Sequence, residues 1–128
     1  MTQTTTGNVL GTVAYLAPEL ITSGSSSPRA DVFSVGVITY ELLTGEQPFT
    51  ADSPIQIAFR NVHEDIPLPS TTVPDLPGGV DGLVSAMTRR DPEQRPQDAD
   101  ETLTRLREAV ADLSESELAV KRGGGPGS

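Results

Sequence analysis

The stretch Asp31-Val-Phe-Ser-Val-Gly-Val-Ile-Thr-Tyr-Glu-Leu-Leu-Thr44 decides the fold of this chain. In a helix these residues place apolar side chains on almost every side, a pattern typical of a helix that is buried all round. Asp31 is expected to cap its first amides, and Gly45 stands where a left-handed residue would end it. Frequent β-branched residues leave a strand as the alternative, but the stretch is longer than most strands. It therefore predicts a central helix in an all-α fold.

Helices are also predicted on both sides of this stretch. A short helix that precedes it has one apolar face, formed by Leu16, Leu20 and Ile21. After it, the run from Ser53 to Gln56 is a capping box with Pro at the first helical position. Residues 64–79 hold four Pro and the pair Gly78-Gly79, which predicts a long irregular loop. Apolar residues then recur at helical spacing, at Val80, Leu83, Val84 and Met87.

The last predicted helix begins after Asp98, because Glu101 three residues later can complete a reciprocal cap. Its outer side is charged, and its apolar residues are expected to form one buried stripe, made of Ala99, Leu103, Leu106, Val110 and Leu113. The glycine-rich end of the chain, from Lys121 onward, is typical of a flexible linker.

The composition argues against several classes of function. Nine Lys and Arg against 18 Asp and Glu give a formal charge of −9, which disfavours binding to nucleic acid. With no Cys and one His, the chain cannot form a thiolate zinc site or a metal site with two imidazoles, and we expect that residue, His63, at the surface. No apolar run could span a bilayer and the polar start does not resemble a signal peptide, so the expected location is the cytoplasm.

Four motifs are recognisable together by their order and intervals: Gly11-Thr-Val-Ala-Tyr-Leu-Ala-Pro-Glu19, Asp31-Val-Phe-Ser-Val-Gly36, Glu46-Gln-Pro-Phe49 and Asp91-Pro-Glu-Gln-Arg-Pro96. Over roughly residues 2–112 they resemble the C-terminal lobe of eukaryotic-like Ser/Thr protein kinases, most closely the receptor-type kinases of actinobacteria. The resemblance implies an incomplete kinase fold in three parts. These are the end of the activation segment (1–12), a helical C-lobe subdomain (13–113) and a flexible linker or tail (114–128).

The resemblance also implies roles for three residues of the helical part. Glu19 would pair with Arg95 and so fix the substrate-binding loop to the helical body. Asp31 would hold the catalytic loop in a complete kinase. Because that loop is not in this sequence, the role left to Asp31 here is to cap the central helix.

Two further implications concern the first twelve residues. Gly11 and Thr12 match the part of the segment that receives the substrate residue after the phosphorylated Ser or Thr, and Thr12 favours Ser/Thr over Tyr specificity. Thr4 and Thr6 stand where related kinases carry activating phosphorylations, which add charge and order a loop by meeting Arg. The alternatives are an ordinary loop Thr at position 12 and a solvated run of Thr before it.

The sequence lacks the motifs on which phosphoryl transfer depends in this family: the Gly-rich loop, the strand Lys, the catalytic loop and the Asp-Phe-Gly metal ligand. We therefore expect no catalytic, cofactor-binding or metal-binding residue in this chain, which would be inactive alone, and ATP and Mg²⁺ in the complete kinase only. Two functions remain open. The chain is either the region of a Ser/Thr kinase that docks substrate and supports the activation segment, or a non-catalytic, kinase-like interaction module.

The expected partners are protein substrates or another kinase domain. In a complete kinase the catalytic loop and earlier helices surround the central helix, so apolar side chains such as Val35, Ile38 and Leu42 are expected to lie uncovered here. Self-association through that surface is the expected consequence. The resemblance to receptor-type kinases also implies a transmembrane anchor after the tail in the complete protein.

Overall fold

The computed structural model describes the backbone of residues 13–123 and the side chains as far as residue 111. This part of the chain consists of helices and loops and contains no strand, which confirms the predicted all-α class. The elements in chain order are α1 (Pro18–Ser23), α2 (Pro28–Thr44), α3 (Pro54–His63), α4 (Pro69–Thr72), α5 (Gly78–Met87), a 3₁₀ turn (Pro92–Gln94) and α6 (Ala99–Gly123).

The central helix α2 begins three residues earlier than predicted, and Asp31 is not its cap. Ser27 is the N-cap, and its Oγ accepts a hydrogen bond from the amide of Ala30 at 3.4 Å. The reason is Pro28, whose missing N–H and fixed φ suit the first helical position. Asp31 instead lies in the first turn, where its charge favours the positive end of the helix dipole. Gly45 ends the helix with φ of 80°, as predicted.

The hydrophobic core lies along one side of α2. Phe33, Val37 and Tyr40 of α2 are buried in it, and other elements contribute Ala17, Phe49, Ile66 and Val84. Helix α5 approaches α2 closely at Gly36, where an added Cβ would lie 2.6 Å from Cγ2 of Thr88 and 2.9 Å from Cβ of Met87. The absence of a side chain at Gly36 therefore sets how closely these two helices pack.

The other side of α2 is uncovered, so the prediction of a helix buried all round is wrong. Val35, Ile38 and Leu42 are 48%, 44% and 81% exposed. The reason is that the described residues supply elements for only one side of this helix. The same residues had been expected to lie uncovered if the catalytic loop was missing, and that expectation is confirmed.

Helix α6 also differs from its prediction in burial and in length. Of the predicted buried stripe, Ala99, Leu103, Leu106 and Val110 are exposed, because α6 borders an open groove beside α2 instead of a filled core. The side chain of Leu113 lies outside the described ones. The helix continues to Gly123, past the predicted boundary at residue 113, since no Pro or Gly interrupts residues 114–122.

The loop predicted for residues 64–79 contains one short helix, and its last two residues, Gly78 and Gly79, are the first two of α5. Pro69 opens α4 at the first helical position, and the side chain of Asp81 binds both the amide and the hydroxyl of Ser70, at 3.0 and 2.5 Å. Pro therefore begins a helical turn here, although Pro content alone had indicated irregular structure. Ser53 and Asp98 cap their helices as predicted, accepting from the amides of Gln56 and Glu101. The side chains of Gln56 and Glu101 accept in return from the residue before each cap, at the amides of Asp52 and Gln97.

Candidate functional site

The structure brings Glu19 and Arg95 together across 76 positions of sequence. Glu19 lies in the first turn of α1, directly after Pro18, and Arg95 follows the 3₁₀ turn that Asp91 caps. Nη1 and Nη2 of Arg95 donate to Oε2 and Oε1 of Glu19 at 2.7 and 2.8 Å. This is a bidentate pair, which fixes the relative orientation of the two groups as well as their distance.

The remaining donors of Arg95 bind backbone carbonyls. Nε donates to the carbonyl of Arg89 at 2.6 Å, Nη1 to that of Arg29 at 2.9 Å and Nη2 to that of Arg90 at 3.2 Å. All five N–H groups of the guanidinium are thus used, and its Cζ lies 5.1 Å from the ring centre of Phe33. One buried side chain therefore joins α1, the start of α2 and the segment after α5.

The charge of Glu19 is stabilised in this setting. Burial acts to raise the pKa of its carboxyl, but the hydrogen bonds and the positive charge of Arg95 act against burial, and the pKa is lowered overall. Glu19 is therefore ionised near neutral pH, as the ion pair requires.

A second set of contacts holds the backbone that precedes α1. Asn61 on α3 is fully buried, and its Nδ2 donates to the carbonyls of Val13, Ala14 and Leu16 at 3.2, 3.3 and 3.2 Å. The hydroxyl of Ser34 on α2 donates to the carbonyl of Tyr15 at 2.6 Å. Each carbonyl from residue 13 to residue 16 thus accepts a hydrogen bond from a side chain.

The side chain of Tyr15 makes a further contact with α2. Its hydroxyl donates to a carboxylate oxygen of Glu41 and accepts a hydrogen bond from Nε2 of Gln47 at 3.4 Å. The hydrogen bond to Glu41 raises the pKa of the Tyr15 hydroxyl, because it favours the protonated form. Segment 13–17 is therefore tied to α2 by a side chain as well as by its backbone.

The other residues singled out from the sequence lie elsewhere. Asp31 is exposed and borders a cavity of about 300 Å³ between α2 and α6, away from the contacts of Arg95. His63 is exposed at the end of α3, and its ring centre lies 4.2 Å from that of Phe59. The residues expected to contact substrate or to be phosphorylated, Gly11, Thr12, Thr4 and Thr6, lie outside the described residues.

Sequence reasoning missed Asn61, although a signal for it existed. Asn61 follows the buried Ile57 by four positions, so a polar residue stands on the apolar face of an amphipathic helix. A buried amide needs hydrogen-bond partners, and segment 13–16 provides them. No comparable signal marks the carbonyls of Arg29, Arg89 and Arg90, because any residue carries the same backbone group.

Among the side chains that the structure describes, in residues 13–111, no three of His, Asp or Glu lie close enough together to hold a metal ion. No helix in residues 13–123 is long and apolar enough to cross a membrane.

Comparison with known proteins finds protein kinases among the relatives of this chain. The chain is 48% identical over 96 residues to the serine/threonine-protein kinase PknL of Mycobacterium tuberculosis, a match that covers 75% of this chain and 24% of PknL. It is 43% identical over 98 residues to the serine/threonine-protein kinase PknB of the same species, covering 77% of this chain and 16% of PknB. The chain thus spans a quarter or less of the length of these relatives. The model of the protein kinase domain matches residues 1–106, and the chain belongs to this family.

Proposed function

We propose that this chain is the substrate-docking and activation-segment support region of a bacterial Ser/Thr protein kinase. The observation that carries the proposal is the buried Glu19–Arg95 pair, which fixes α1 and the backbone before it to the helical body. Segment 13–17 directly follows Gly11 and Thr12. A rigid anchor immediately after a substrate-binding segment holds that segment in one geometry, and phosphoryl transfer depends strongly on such positioning.

In this proposal the complete kinase transfers phosphate from ATP to Ser or Thr of protein substrates. ATP and Mg²⁺ bind to parts of the kinase domain outside this chain, which contributes no catalytic residue and is inactive alone. Gly11 and Thr12 receive the substrate residue after the phosphorylated one, and Thr4 and Thr6 are the candidate phosphorylation sites. The complete protein acts in the cytoplasm and is anchored by a transmembrane helix after the tail.

A non-catalytic interaction module is the second candidate. The observation that favours it is the exposed apolar side of α2, because an apolar surface of this kind suits association with a second protein or a second copy. In the first proposal the same surface is covered by the rest of the kinase domain.

A chimaera distinguishes the two functions. This chain would replace the matching 96 residues of PknL, and transfer of phosphate to a protein substrate would be measured. We expect an active chimaera whose activity is lost with Arg95→Ala and kept with the exposed control Arg105→Ala. A folded chimaera that binds ATP without transferring phosphate would overturn the first proposal.

The isolated chain provides a second test. We expect ATP and Mg²⁺ to leave its melting temperature unchanged, whereas a nucleotide bound at 100 times its Kd would stabilise the fold by about 2.7 kcal/mol. A nucleotide-dependent rise in melting temperature would contradict the assignment of the nucleotide site to the rest of the kinase.

A further inference from the structure

The backbone carbonyls of segment 13–16 all accept hydrogen bonds from side chains of α2 and α3. Residues 14–16 belong to no helix or sheet, and Ala14 among them is buried. A buried carbonyl without a donor is costly, so each needs a partner. Asn61 donates to three of the four carbonyls, and Ser34 donates to the fourth. The carbonyl of Val13 also accepts from the amide of Leu16, at 3.1 Å.

We propose that Asn61 is a positioning residue for substrate binding, through which α3 sets the backbone geometry of the segment that follows Gly11 and Thr12. This inference rests on the proposed function and adds to it a residue and a helix. Asn61 contacts no substrate in this proposal, and it acts only through the carbonyls of Val13, Ala14 and Leu16.

The chemistry of the amide suits this role. Nδ2 carries two hydrogens and lies 3.2–3.3 Å from three carbonyl oxygens, so one hydrogen is shared between two of them. Asp would place an acceptor against three acceptors. Leu, with a similar shape, would take the side-chain donor from all three carbonyls, of which only that of Val13 keeps a backbone donor, the amide of Leu16. Since Asn61 and Ile57 form the buried face of α3, the amide moves with the helix as one body.

Hydrogen exchange on the full 128-residue chain tests the structural part of the inference. In Asn61→Leu, we expect the hydrogen-bonded amides of this region, those of Leu16, Leu20 and Ile21, to exchange roughly tenfold faster than in the wild type, relative to the amides of α5. The matched control is Val84→Ala, which creates a cavity in the core, removes no side-chain hydrogen bond to segment 13–16 and is expected to speed exchange in both regions alike. Should Asn61→Leu not fold, Asn61→Ser keeps one donor with a shorter reach and gives a milder version of the same result. Equal acceleration in both regions for every Asn61 variant would overturn the inference.

The PknL chimaera tests the functional part. We expect Asn61→Leu to raise the KM for a peptide substrate by about tenfold and to leave the KM for ATP unchanged, because the affected backbone adjoins only the peptide site. Asn61→Ser is expected to restore part of the peptide affinity, and Val84→Ala to change neither KM. An inactive chimaera with Asn61 intact would refute the proposed function itself. An active chimaera in which Asn61→Leu leaves the peptide KM unchanged would refute only the role of Asn61.

Discussion

Replacing Arg95 with Ala is expected to destabilise the helical body far more than replacing Arg105 with Ala. The side chain of Arg95 is fully buried, and that of its partner Glu19 is 16% exposed. Loss of the Arg95 side chain would take the donors from the Glu19 carboxylate and from the carbonyls of Arg89 and Arg90. The Arg105–Glu101 pair has a 3.3 Å contact, and its side chains are 46% and 39% exposed, so both ends remain hydrated after the substitution.

The magnitudes of the two effects differ several-fold. Removing one partner of a buried ion pair costs about 3–5 kcal/mol. Since Glu19 keeps some contact with water, we expect a loss of about 3 kcal/mol for Arg95→Ala, at the lower end of that range. An exposed pair four residues apart on a helix contributes about 0.3–0.5 kcal/mol, so Arg105→Ala should cost less than about 1 kcal/mol. The difference is a large share of the roughly 5–15 kcal/mol that stabilises a typical domain.

Urea unfolding followed by circular dichroism measures this difference on the 128-residue chain. Arg95→Lys is included because Lys keeps the charge but lacks the planar fork, so it should lie between the wild type and Arg95→Ala. In the double variant Glu19→Gln/Arg95→Ala, the loss should be clearly smaller than the sum of the single losses, since no unpaired carboxylate remains. Equal unfolding midpoints for Arg95→Ala and Arg105→Ala would refute the reasoning.

Three more outcomes are expected for the isolated chain. Gly36→Ala should lower the unfolding midpoint in urea. The added Cβ would lie 2.6 Å from Cγ2 of Thr88 and 2.9 Å from Cβ of Met87, and this overlap outweighs the roughly 1 kcal/mol that Ala gains over Gly in a helix. An unchanged or higher midpoint would show that α5 shifts freely. The lowered pKa of Glu19 means that its ion pair stabilises the fold above the ordinary pKa of 4.5 and is lost as the pH falls through the lower, folded-state value. The free energy of unfolding, measured from neutral pH to below 4.5, should therefore depend less on pH in Glu19→Gln than in the wild type. The same pH dependence in both proteins would contradict the ion pair. At low micromolar concentration the chain should self-associate and bind an apolar dye, and Leu42→Glu should reduce both; a monodisperse wild type in light scattering without dye binding would exclude this.

The positions of the helices could be predicted because their signals are local. Ser53 with Gln56 and Asp98 with Glu101 place donors and acceptors within one turn, so a few residues determine where a helix begins. The order and intervals of the four motifs likewise pointed to Glu19 and Arg95, which the structure brings together. That inference used the family pattern, since nothing local links two residues 76 positions apart.

Burial could not be predicted in the same way. An apolar circumference shows which side chains of α2 favour burial, but the elements available to cover them depend on the rest of the molecule. Val37 is therefore fully buried while Ile38, the next residue, is 44% exposed. The cap of α2 was misplaced for a different reason, because Ser27-Pro28 and Asp31 are both plausible starts and the one that allows Pro at the first position is used.

The Arg95 anchor is better explained as a means of positioning than as a source of stability. Apolar residues of similar volume often stabilise a buried site at least as well as an ion pair does. They impose no direction, however, whereas a guanidinium that satisfies one carboxylate and three carbonyls fixes the angles at which these groups meet. Asn61 has the same property toward the carbonyls of segment 13–16. Two buried polar side chains from different elements thus determine the course of the backbone on both sides of Ala17, a precision that apolar contacts alone would not give to a segment without regular structure.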